Sequence, residues 1–214
     1  MTTHVDGRRA RGDASRRAIL DRATQLASIE GLDGVTIGAL ASASGRGKSS
    51  IATLFGDKEH LQLATIDAAA EIFRATVVEP ARTRPRGAAR VAALLAGVLA
   101  YSRERVFAGG CFFMAVSADL DSKPGPVADA VRAWMRDWHS YVEVQLRLAA
   151  EAGSISRSAD TARLAFELLA LTDAANARSL LTGDERPYAL AAAGIRERLL
   201  AAGADAAELE PLAP

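Results

Sequence analysis

Apolar residues recur at helical spacing along nearly the whole chain. Ile19, Ala23, Leu26 and Ala27 share one face of a first helix, which Gly31 ends and Leu32 closes with an apolar C-cap contact. Thr36 suits the opening of a second helix with Ile37, Leu40 and Ala41 on one face; Gly45 stops it. Ile51, Leu54 and Phe55 resume the i, i+3, i+4 pattern in a third. After Gly56, Asp57 caps a helix expected to run to about Glu79, where Pro80 disfavours continuation. That helix, ~30 Å long, carries the stripe Leu61, Thr65, Ala68, Ile72, Thr76. PARTRPRG, 80–87, reads as a linker. The helix over 88–105 turns Val91, Leu94, Leu95, Val98 and Leu99 inward, and Gly109 and Gly110 break it. CFFMAV opens a short helix over 111–120, and 121–126 is a loop. The helix over 127–151 sets Val131, Trp134, Trp138, Tyr141 or Val142, and Gln145 on one side. The helix over 160–181 is apolar around most of its circumference, and one over 187–202 is rich in Ala and Leu. From Gly203 the chain reads as a frayed tail. With no strand-like alternation and no internal repeat, the fold expected is all-α, with about nine helices.

The two short helices over 36–55 carry the first functional signal. Joined by a tight Gly-containing turn, they form a helix-turn-helix. Apolar positions of the second point back at the first, leaving Lys48, Ser49, Ser50, Ala52 and Thr53 outward. Short polar and cationic side chains there suit entry into the DNA major groove.

Residues 15–61 resemble the DNA-binding domain of the TetR family of bacterial transcriptional regulators. The likeness runs through the first helix ending in Gly31, the Thr36 cap, the turn from Ala41 to Gly45, then Phe55, Lys58 and Leu61. The family usually has a small aliphatic residue and a Ser where this chain has Arg46 and Gly47, and a Tyr and a His where it has Ala52 and Leu54. The usual Tyr and Ser touch phosphate, so the phosphate grip expected here is partly different. The resemblance implies a phosphate contact for Lys58, effector binding in the second helical domain, and a homodimer paired through the last two helices.

Charge narrows the reading. The 214 residues carry 26 basic and 26 acidic side chains, so no global field draws the protein to DNA, and binding must be local. Candidate contacts are Thr36, Arg46, Lys48, Ser49, Ser50, Thr53 and Lys58, together with Arg8, Arg9 and Arg11. The last three lie in residues 1–14, which read either as a solvated tail or as an arm laid along the DNA. Arg16 and Arg17 extend that cluster into the first helix. Half the residues are apolar, enough for a large core. A single Cys111, no secretory h-region and no uninterrupted apolar run of membrane length give a cytoplasmic expectation.

Enzyme chemistry finds no anchor. GRGKSS, 45–50, contains Gly-Lys-Ser, but a P-loop wants Gly where Ser42 stands and a buried strand before it. His4, His60 and His139 are far apart, so no metal or other cofactor is expected. Phe112, Phe113 and Met114 beside Cys111 would raise a thiol pKa rather than activate it. No Gly-x-Ser-x-Gly elbow occurs.

Aromatic residues concentrate between 107 and 166, and apolar walls with a few polar tips describe a small-molecule pocket. The candidates are Phe107, Phe112, Phe113, Met114, Trp134, Trp138, His139, Tyr141 and Phe166, against the plainer reading that each simply fills core. Leu168, Leu171, Ala175 and Leu199 are candidates for a dimer interface. The organisation expected is a basic arm over 1–14, a three-helix DNA-binding domain over 15–61, an effector-binding and dimerisation domain over 62–203, and a tail over 204–214. The function expected is a ligand-responsive regulator binding palindromic double-stranded DNA as a homodimer: a repressor released by a small hydrophobic or aromatic effector. The alternative is a helical small-molecule-binding protein that no longer reads DNA.

Overall fold

The computed structural model describes residues 3–213, and the side chains of residues 10–213. Every regular element among them is helical: α1 Thr3–Gly34, α2 Ile37–Ser44, α3 Lys48–Phe55, α4 Lys58–Phe73, a π turn Arg74–Val78, α5 Glu79–Arg82, α6 Ala88–Arg103, α7 Phe112–Leu120, α8 Pro126–Glu151, α9 Thr161–Thr182, α10 Arg186–Ala201 and a 3-10 segment Ala206–Leu212. The all-α expectation holds, with ten α-helices rather than about nine.

The chain divides into two compact units, Met1–Glu71 with Phe107–Arg132, and Ile72–Val106 with Ala133–Pro214. This division cuts across the boundary expected at 61/62. Residues 107–132 pack with the helix-turn-helix part, because α7 lies along α1. At the closest approach a Cβ on Gly109 would stand 1.8 Å from the Ser28 carbonyl oxygen, so only glycine fits. The same loop donates its Ala108 N–H to Gln25 Oε1 at 2.8 Å and its Gly109 N–H to Ser28 Oγ at 3.0 Å.

In the first unit α1 begins at Thr3, so residues 3–14, read from the sequence as a tail or a DNA-binding arm separate from the first helix, are continuous with it. Gly31, at φ 70°, interrupts α1 where the sequence placed its end, and Leu32 and Val35 are fully buried just beyond. Thr36 caps α2 by accepting the Ala39 N–H at 3.0 Å, and Gly45 ends α2 in the left-handed conformation. Leu40, Ala41, Ile51 and Phe55 hold α2 against α3.

The helical path from α4 does not stop at Pro80. A π turn, in which the Glu79 N–H donates to the Arg74 carbonyl, carries the chain into α5. Pro80 lacks the N–H that an ordinary α turn would use, and it sits in the first turn of α5, where that absence costs little. The buried stripe of α4 and the π turn is Leu61, Thr65, Ala69, Phe73 and Val77. From Ala69 onward it lies one residue C-terminal to the expected stripe, since Phe73 and Val77 offer more apolar surface than Ile72 and Thr76.

In the second unit α6 buries all five residues read as inward. The expected frayed tail is instead anchored. Asp205 caps the 3-10 segment through the Ala207 N–H, and Leu209 and Leu212 are 0% and 1% exposed on a segment packed against α6. Two leucines three apart suffice to dock a single turn, a spacing too short to read as a periodic pattern.

Candidate DNA-binding face and effector core

Every residue from Gly45 to Ser50 is exposed, as is Thr53, while Ala52 and Leu54 are half-buried. From Gly34 to Gly56 the chain carries Arg46 and Lys48 and no acidic residue, so this surface is locally cationic on a protein of zero net charge. The Thr53 hydroxyl donates to the Ser49 carbonyl at 2.8 Å and its oxygen can still accept a hydrogen bond. Thr36 Oγ1 is engaged as the α2 cap and retains its hydrogen for donation.

Arg16 does not extend a free basic cluster. Its Nη1 donates to the Leu54 carbonyl at 2.7 Å and its guanidinium lies 4.4 Å over the Phe55 ring, so it clamps α1 to the end of α3. Arg11 is exposed; the side chains of Arg8 and Arg9 lie outside the described residues.

Lys58 Nζ lies 3.4 Å from Asp33 Oδ1, and Lys123 bridges Asp33 at 2.9 Å and Asp119 at 2.8 Å. Hydrogen bonds from Lys123 and then Lys58 hold the Asp33 carboxyl below its ordinary value. Being largely exposed, these pairs contribute little stability, and the Lys58 ammonium remains accessible to a phosphate.

The expected aromatic set divides between the two units. Phe107, Phe112 and Phe113 belong to the first, where their rings pack at 5.6 and 5.1 Å between centroids and are at most 1% exposed. Met114 stands beside them, half-buried. Trp134, Trp138 and Tyr141 belong to the second and stack along α8 at interplanar angles of 20° and 23°. Phe73, which the sequence reading left out, packs edge-on against Tyr101, Trp134 and Trp138 at 4.9–5.2 Å. This cluster, half-buried on its α8 side, holds three of the five aromatic ligand candidates of the second unit, Trp134, Trp138 and Tyr141. His139 is exposed on α8, and Phe166 is 73% exposed on α9, so neither walls an interior pocket of this chain. Phe166 falls on the outward face because Leu164, Ala165, Leu168 and Leu169 take the inward one.

Two charged groups of the second unit carry no sequence signature. Asp173, half-buried on α9, is pushed above the ordinary carboxylate value by burial, against an opposing pull from His139. Arg105, just past α6, has φ 52° and is the one non-glycine residue at positive φ among those described. That conformation costs about 1–2 kcal/mol for a residue with a Cβ. Its Nη2 donates to Ser179 Oγ at 3.2 Å, while Nη1 is shut off from solvent and makes no hydrogen bond.

Phe166, Ala170, Ala174, Ala177 and Leu181 form an exposed apolar stripe along α9, with Leu190 exposed on α10. A hollow of 410 Å³ beside it is lined by Leu171, Ala174, Ala175, Pro187 and Leu190 among others. Leu168 and Leu199 are fully buried in the chain's own core, because they fall on the inner faces of α9 and α10, and so offer no surface to a partner. Among the described residues, no helix is long and apolar enough to cross a membrane.

A cationic, acid-free helix-turn-helix at the head of an otherwise entirely helical chain is the architecture of a DNA-binding transcriptional regulator. Residues 87–195 match the family model described as tetracyclin repressor-like, C-terminal domain, and the chain belongs to the TetR family of transcriptional regulators, which are transcription factors rather than enzymes. Solved structures share the fold. A TetR-family regulator from Cytophaga hutchinsonii is 15% identical, over 90% of this chain and 96% of that one, with a TM-score of 0.77. One from Chloroflexus aurantiacus is 22% identical, over 89% and 95%, with a TM-score of 0.75. AibR, in complex with isovaleryl coenzyme A and operator DNA, is 18% identical, over 76% and 85%, with a TM-score of 0.62. No curated protein matches the sequence.

Proposed function

We propose that the protein is a homodimeric cytoplasmic repressor that binds a palindromic operator through α3 and leaves it when a small molecule with a substantial apolar or aromatic body occupies the second unit. The observation carrying the DNA half is the exposed, acid-free surface of Arg46, Lys48, Ser49, Ser50 and Thr53. The aromatic cluster of Phe73, Tyr101, Trp134, Trp138 and Tyr141 supports the effector half, each ring offering apolar surface at about 25 cal/mol per Å² buried. That AibR has been seen with both an acyl coenzyme A and its operator supports placing both activities on one chain of this fold. α4 carries Lys58 at its start and Phe73 at its end, so it links a candidate phosphate contact to the aromatic cluster along one helix. An effector shifts DNA affinity only by its differential affinity for the two states, so DNA must weaken effector binding by the same factor.

The test is operator selection from fragments of the source genome, followed by fluorescence anisotropy with wild type and Lys48→Ala. Loss of the Lys48 charge from the DNA-facing surface weakens binding and lowers the salt slope by about one. Indistinguishable binding by the two proteins, at every salt concentration, removes α3 as the recognition element.

A further inference from the structure

We infer that Arg105 is the anchor for an anionic group, a carboxylate or a phosphate, on the small molecule that the second unit binds. The inference rests on reading that unit as the effector domain and adds the chemical class of the effector. Nη1 of Arg105 has no solvent exposure and no hydrogen bond, and Nη2 reaches only the neutral Ser179 hydroxyl at 3.2 Å. Among the described residues, no carboxylate forms an ion pair with it. The residue as a whole is half-buried, but a guanidinium carries five N–H donors and a permanent charge, and the Nη1 donors shut off from water with no partner are unfavourable unless an acceptor arrives to meet them.

The backbone points the same way. Arg105 takes the left-handed position that ends α6, where its N–H donates to the Ser102 carbonyl and the Val106 N–H to the Tyr101 carbonyl. Glycine would occupy that position without strain, so an arginine there departs from local preference, as residues do at functional sites. The two helices it touches, α6 through Ser102 and α9 through Ser179, carry buried polar residues. Ser102 on α6, and Thr172, Asn176 and Ser179 at i, i+4, i+7 on α9, are each at most 3% exposed. With the aromatic cluster around Phe73 and Tyr101, the unit would recognise an amphipathic organic anion: an apolar body on the rings and a charged end on Arg105.

The experiment uses the full chain, wild type, Arg105→Met and Arg105→Lys, in thermal melts and titration calorimetry. The probes are formate, butyrate, hexanoate, benzoate and inorganic phosphate, with the amide of each carboxylate as its uncharged match. Wild type should be stabilised by at least one anion and not by the matching amide. Arg105→Met should abolish that shift and lose about ten- to a hundredfold in affinity, and Arg105→Lys should retain part of it. Without probe, Arg105→Met should melt at or above the wild-type temperature, because an unpaired charge has been removed. The inference is overturned if no anion stabilises wild type, if the anion effect survives in Arg105→Met, or if Arg105→Met melts several degrees lower unliganded. Operator binding measured in parallel separates the two readings. An anion held through Arg105 by a protein that binds no DNA keeps this inference and removes the regulator. A regulator released equally well by its effector in Arg105→Met does the reverse.

Discussion

Single atoms settle several questions here. The Ser28 carbonyl sits where a Cβ of residue 109 would go, so Gly109→Ala must displace backbone at the contact between α1 and the start of α7. A loss of about 1–3 kcal/mol follows from such overpacking, read as a lower midpoint in urea with an unchanged slope. Asp173 illustrates an opposite cost. Its folded-state pKa is raised by burial, so protonation is favoured in the folded state, and stability falls as pH rises from the ordinary value of 3.8 through the raised one. Asp173→Asn should therefore melt higher than wild type at neutral pH, and the advantage should vanish below about pH 4. Melting curves of both proteins across pH 3–8 decide it; a constant difference would mean that the carboxyl's ionisation is irrelevant. Arg105 and Asp173 were illegible in the sequence for a shared reason. Each acquires its environment from the packing of α9 against other helices, and neither lies in a local pattern that spacing could expose.

At the level of elements, legibility followed local chemistry. Thr36, Gly45 and Gly56 mark the ends of α2 and α3 because caps and left-handed turns are decided within a few residues. The same holds for Asp160, which accepts the Arg163 N–H at 3.0 Å to open α9. Legibility failed at Pro80, where a π turn absorbs the missing donor, and at Gly203 and beyond, where docking on α6 decides the outcome. The docking is testable: Leu209→Ala should cost about 2–5 kcal/mol, whereas a frayed tail would tolerate it. The expected pocket residues were grouped by nearness in sequence. The fold regrouped them, giving Phe107, Phe112 and Phe113 to one unit and Trp134, Trp138 and Tyr141 to the other, and supplying Phe73 and Tyr101 from α4 and α6.

For the whole molecule, the outward stripe of α9 is the feature that most needs a partner. Phe166 at 73% and Leu181 at 87% exposure, with alanines between them, are costly to leave in water. A second copy would cover them in both subunits through one two-fold contact. Phe166→Glu with Leu181→Glu should then give a folded monomer by sedimentation equilibrium. Because one helix-turn-helix offers few contacts, that monomer should bind operator far more weakly and with a shallower salt dependence. A wild type that sediments as a monomer at micromolar concentration would end the dimer proposal.

The first unit is discontinuous in sequence, and this has a consequence for biosynthesis. The face of α1 that meets Gly109 and α7 is made early, yet its cover does not begin to be translated until 35 further residues, 72–106, have followed Glu71. At roughly 5–20 residues per second, that interval lasts roughly 2–7 seconds. During it the nascent head has its helix-turn-helix but not its lid of Phe107, Phe112 and Phe113, and the apolar side of α1 is open to chaperones or to neighbouring nascent chains. Slow codons between 72 and 106 would lengthen that exposure, and fast ones would shorten it, without altering a single residue of the finished protein.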